Sequence, residues 1–142
     1  DAILNKPGRL TAEEFEVMKT HAAIGAQMLE NLNQYKDDAL MQTDKAICHY
    51  HHERWDGRGY PEGLKGDQIP IEAQVVSVAD VYDALTSERV YKKAIPHEKA
   101  MRMIADGECG AFNPLLMECL VDVGDCIRDD IGRELPPPSR LP

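Results

Sequence analysis

Apolar residues recur every three or four positions through most of this chain, the pattern of amphipathic helices packed around a shared interior. Thr11-Ala12-Glu13-Glu14 is a capping box, in which a threonine hydroxyl and a glutamate three residues on satisfy each other's free N–H groups at a helix start. Phe15, Met18, Ala22, Gly25, Met28, Leu29 and Leu32 follow at helical spacing. A second helix is predicted through Ala46, Ile47 and Cys48 into the pair His51-His52, ending near Arg54. Ile71, Val75, Val78, Tyr82 and Leu85 predict a third, from near Pro70 to near Ser87. Pro96 suits the first turn of a fourth helix through Ala100, Met103 and Ile104, because a proline there forfeits only an N–H that lacks a helical partner. Asn113-Pro114 reads as the N-cap and first residue of a fifth, through Leu116, Leu120 and Val123.

Between the second and third helices, residues 55–69 are rich in glycine and contain a proline, so they form a loop. No alternating pattern predicts a strand, and no internal repeat is present. From about Asp129 the chain turns toward Pro136-Pro137-Pro138, which cannot stay helical. The expected organisation is an all-α bundle over residues 1–128 and an extended or disordered tail over 129–142.

Composition narrows the functional classes. With 142 residues, 43% of them hydrophobic, the chain can bury a real core as one domain. A net charge of −9 argues against nucleic-acid binding, which needs a basic surface. An anionic small ligand remains compatible if cations gather locally. Arg54, Arg58 and Lys65 flank the glycine loop, and Arg89, Lys92 and Lys93 cluster further on. No apolar run approaches the roughly 20 residues of a membrane span, and no signal peptide is recognisable. The four cysteines form no CxxC pair, which with the missing export signal points to a reducing cytoplasm and to thiols without a chemical role.

The chemistry concentrates in His51-His52-Glu53-Arg54-Trp55-Asp56-Gly57-Arg58-Gly59-Tyr60-Pro61. Imidazole is the commonest protein metal ligand, and glycine loops bring backbone amides close to phosphate. His21 shares the first helix with an apolar stripe, where a lone histidine is more often a hydrogen-bonded core residue than a ligand. Asp80 and Asp83 stand within an apolar helix and need partners, either a cation such as Arg89 or Lys92, or a metal. His21, His51, His52 and Asp80 together are a nitrogen-and-oxygen set suited to iron, manganese or zinc.

These residues carry a resemblance. Asp1 to Gly8, Met18-Lys-Thr-His21, His51 to Pro61, Leu64-Lys-Gly66 with Ile69-Pro70, Val78 to Ser87, Arg89-Val-Tyr-Lys92 and Gly110-Ala-Phe-Asn-Pro114 resemble, in order, the HD-GYP domains of the HD phosphohydrolase superfamily. The resemblance implies an all-α bundle of the HD type with five helices present and the N-terminal helices missing. It implies a metal-dependent phosphodiesterase that hydrolyses cyclic di-GMP on a non-haem centre of two or three irons, with manganese as the alternative. His21, His51, His52 and Asp80 match metal ligands. Gly59, Tyr60 and Pro61 match the signature loop beside the substrate, and Asp83, Arg89 and Lys92 match substrate or phosphate contacts. The loop is also associated in the family with diguanylate-cyclase-type partner domains.

Two departures qualify this. Asn113 stands where the family usually has aspartate, and it caps a helix as well. No His-Asp dipeptide, the pair that names the superfamily, occurs in the sequence; the resemblance places it just before the segment matching Asp1. The expectation is therefore a fragment of a phosphodiesterase, with partial or no metal and little activity alone. The rival expectations are a non-catalytic cyclic-dinucleotide-binding or interaction module, with the Gly-Tyr-Pro aromatic exposed to a partner, and a hydrolase of another cyclic dinucleotide such as cyclic GMP-AMP.

Overall fold

The computed structural model describes residues 3, 6, 8–32, 35, 37–88 and 92–131, with side chains through Asp129. Five helices follow in order: α1 (Ala12–Glu30), α2 (Ala39–Tyr50), α3 (Ile71–Thr86), α4 (His97–Ala105) and α5 (Pro114–Ile131). The fold is all-α. Asp56 and Lys65 form an isolated antiparallel bridge. No described helix is long and apolar enough to cross a membrane, and all four cysteines are free thiols.

The helix starts follow the caps. Thr11 accepts from the Glu14 N–H while the Glu14 carboxylate accepts from the Thr11 N–H, closing the expected capping box. Asn113 caps α5 through its carbonyl oxygen, which accepts from the Leu115 N–H at 3.0 Å. Its amide nitrogen donates to Gln74 Oε1 at 2.9 Å, a bond that an ionised aspartate could not make. Asp38 caps α2 through the N–H groups of Leu40 and Met41.

Consecutive helices pack on one another, α1 on α2 and so on through α5. Ala22 and Ala26 are buried, and a Cβ on Gly25 would stand 3.7 Å from that of Cys48, so small residues let α1 approach α2 closely. A larger core forms around Tyr82, Ala100 and Ile104, with Leu85, Phe112 and Leu120 packed against it.

Three details depart from the apolar periodicity. Phe15, Met28 and Leu32 are exposed although they share the predicted stripe of α1. On α3, Ile71 and Val75 are exposed, and the buried face carries Ala73, Gln74, Ser77, Val78 and Tyr82. The second helix ends at Tyr50 with His51 as its C-cap, four residues short of Arg54. The chain must leave the helix axis there so that the loop can return to the Glu53 carboxylate. At the other end α5 continues to Ile131, so residues 129–131 are helical. The proline-rich tail beyond them lies outside the described residues.

Candidate metal centre

α1 and the end of α2 bring three imidazoles together. His21 lies in the middle of α1, His51 caps α2, and His52 follows. One ligating atom from each falls within 4.8 Å of the others. Nε2 of His52 is 3.0 Å from Nε2 of His21. Two nitrogens about 2.1 Å from a common ion and at right angles to each other stand about 3 Å apart, so the spacing fits shared coordination.

The backbone sets two tautomers. His21 Nδ1 lies 2.6 Å from the Met18 carbonyl oxygen, and His51 Nδ1 lies 2.9 Å from that of Ile47. A carbonyl only accepts, so each Nδ1 carries a proton, which leaves Nε2 as the nitrogen that could ligate. Each carbonyl belongs to the turn before its histidine, which makes the clamp a product of helix geometry. His52 is kept neutral. Burial first, then the neighbouring His51, His21 and Arg54, push its pKa down to about 3. Metal ligation needs the neutral ring, which burial favours at His52.

The loop after α2 closes over His52. Tyr60 stacks on the His52 ring, with centroids 4.7 Å apart and planes 30° apart. Phe15 meets Tyr60 edge-on at 6.2 Å, and the Lys19 ammonium lies near both aromatic rings. Tyr60 is half-buried, with its ring turned onto that of His52. Burial raises the Tyr60 pKa. Gly59 has no substitute: a Cβ there would fall 2.4 Å from both the Arg54 nitrogen and the Glu53 Cα. The Tyr60–Pro61 peptide is cis.

Glu53 was not foreseen as a site residue. It is 2% exposed, and its carboxylate accepts the backbone N–H groups of Glu62, Gly63 and Leu64 at 2.8, 3.0 and 3.0 Å. Its place between the histidines and the glycine loop was the available signal, since an all-acceptor group beside a tight loop can gather amides.

Arg54, Arg58 and Lys92 have partners within the protein. Arg54 turns inward, donating to Ser77 Oγ at 2.7 Å and to the Glu53 carbonyl at 2.9 Å, with its guanidinium 5.2 Å from the Phe112 ring centre. Burial lowers its pKa, partly offset by Tyr60 and Asp80. Arg58 is largely solvent-exposed and faces Asp56 at 3.6 Å. The Lys92 ammonium donates to the carbonyls of Ala84 and Leu85 at 2.8 and 3.2 Å, at the end of α3. Asp83 accepts from Ser87 Oγ at 2.8 Å. Asp80 is near enough to act electrostatically on Arg54 and Tyr60, but its oxygens lie outside the cluster of three ligating nitrogens. Arg89 lies outside the described residues.

An all-α domain thus brings three imidazoles, from α1 and the end of α2, to one point. Residues 1–112 match the HD domain family, and the chain belongs to it. It is 45% identical over 85% of its length to a probable cyclic di-GMP phosphodiesterase of Vibrio cholerae, covering 28% of that protein. It is 43% identical over 94% of its length to a cyclic di-GMP phosphodiesterase of Thermotoga maritima, covering 35% of that protein. A 3'3'-cGAMP-specific phosphodiesterase of Vibrio cholerae is 39% identical over 88% of the chain, with 23% of that protein covered. The chain thus spans about a third or less of these relatives.

Proposed function

We propose that this chain carries the histidine half of the metal centre and the substrate-side loop of a cytoplasmic phosphodiesterase that hydrolyses cyclic di-GMP. The observation that carries the reading is the convergence of His21, His51 and His52, with two of their tautomers set by backbone carbonyls. The relatives named for cyclic di-GMP hydrolysis support the substrate.

His21, His51 and His52 would hold the ion, with Asp80 as a further ligand on reorientation of its side chain. Iron or manganese suits such a nitrogen-and-carboxylate set. When bound, the ion supplies Lewis-acid polarisation of a phosphodiester. The protein's own residues do the rest. The Met18 and Ile47 carbonyls hold two ligand rings in the productive tautomer. Tyr60 covers one face of His52, which limits access of water from that side. Phe15 and Tyr60 offer aromatic surface to a purine, and the Lys19 ammonium beside them offers a charge to a phosphate. Gly59 and Pro61 shape the loop that carries Tyr60. Asp83, Arg89 and Lys92 are proposed as contacts to the dinucleotide. Lys92 would have to leave the α3 carbonyls to reach it.

The test is hydrolysis of cyclic di-GMP by the full-length protein, with metal content measured in parallel. The expected result is metal-dependent linearisation that His21→Ala abolishes. A full-length protein that binds no metal and leaves cyclic di-GMP intact would overturn the reading. The 39% identity to a cGAMP-specific relative supports a second substrate, and preferential cleavage of 3'3'-cyclic GMP-AMP would favour it.

A further inference from the structure

We infer that Glu53 is a positioning residue for the metal site, its buried carboxylate fixing the Gly-Tyr-Pro loop so that Tyr60 clamps His52 in its ligating orientation. The inference rests on the proposed role of the three histidines as metal ligands. His21 and His51 are each held by a carbonyl on Nδ1. No backbone carbonyl of the described residues takes a ring nitrogen of His52. Its ring is oriented by its neighbours: Tyr60 stacked at 4.7 Å, and the imidazoles of His51 and His21 at 4.0 and 4.8 Å.

The Tyr60 ring is in turn only as fixed as its loop. The loop leaves at Arg54 and comes back to the same point. The Tyr60 N–H donates to the His52 carbonyl at 3.2 Å, and the Gly59 backbone packs directly on Glu53. The three amides that follow Pro61 then converge on the Glu53 carboxylate. Glu53 is next to His52 in the chain, so one short piece of backbone carries both the ligand and the anchor of its clamp.

Three donors on two oxygens demand a group with no N–H of its own. Glutamine at this position would turn an NH2 toward at least one loop amide. The side chain is almost the same size, so the change acts on the loop's hydrogen bonds and leaves the packing volume alone.

The experiment is a Co(II) titration of the full-length protein, read by visible absorption and by affinity, for wild type and five variants. Glu53→Gln and Tyr60→Leu are each expected to weaken binding roughly 10- to 100-fold, as loss of a ligand-orienting partner does, and to shift the Co(II) spectrum. The double variant should be no weaker than the worse single one, and Tyr60→Phe should recover the affinity that Tyr60→Leu loses. A folded Glu53→Gln protein with wild-type affinity and spectrum would overturn the inference. If Glu53→Gln does not fold, Tyr60→Leu decides: wild-type binding there removes the clamp. His52→Ala separates the two levels. If it leaves Co(II) binding intact, the metal reading itself fails. If it weakens binding while Glu53→Gln and Tyr60→Leu do not, only the positioning role falls.

Discussion

The histidines around the end of α2 and the cations around the same loop are treated differently by the fold. His21 and His51 are short, nearly rigid side chains, and each finds a carbonyl in the turn before it. Arg54 and Lys92 are long, and each reaches an acceptor elsewhere in the protein. Arg54 ties the loop to Ser77 on α3, and Lys92 caps the carbonyls at the C-terminus of α3, where a cation is favoured by both the free acceptors and the helix dipole. The difference teaches that helix geometry alone can aim an imidazole. A flexible cation goes to whatever acceptor the tertiary structure leaves open.

The contrast can be broken most severely at the histidines. Replacing His21 or His51 by alanine removes an anchored nitrogen, and metal affinity should fall on the order of 100-fold or more, measured by metal titration of the full-length protein. Gly59→Ala attacks the loop that covers them. Its Cβ would meet backbone atoms at 2.4 Å that cannot yield as a flexible side chain would, and urea unfolding should show a loss of about 3 kcal/mol.

On the cation side, Ser77→Ala leaves the half-buried Arg54 without its hydroxyl acceptor. A loss of about 1–2 kcal/mol is expected in the same unfolding measurement, with metal affinity little changed. Acid gives the gentlest test. The folded pKa of His52 is about 3, below its ordinary 6.5. Above 6.5 both folded and unfolded chains carry the neutral ring. Between 6.5 and 3 the unfolded chain takes up a proton that the folded one refuses, so stability of the metal-free protein falls progressively as pH drops through that window. His52→Gln should flatten that part of the profile.

Much of the fold was legible because its signals are local. Thr11-Glu14 and Asn113-Pro114 mark helix starts through contacts within three residues, and both caps form. The end of α2 was less legible, since what stops it is the return of residues 62–64 to Glu53. The stripe on α1 misled in part because periodicity shows which residues share a face but says nothing of how far a neighbour covers it; Ala22 is buried and Met28 is not. At the site, the grouping of His21 with His51-His52 was suggested by residue chemistry and by family resemblance, whereas local periodicity could not bring the two segments together, because a turn and most of α2 separate them. Inward-facing Arg54 could not be read from sequence, since its partners Ser77 and Phe112 lie on distant segments.

The most direct measurement is long-range nitrogen NMR of the histidine rings, with Zn(II) added as a diamagnetic probe. In the metal-free protein His21 and His51 should appear protonated on Nδ1, as their carbonyl partners require. On adding the ion, their Nε2 resonances and that of His52 should shift together. Rings protonated on Nε2, or Nε2 signals indifferent to the metal, would contradict the account.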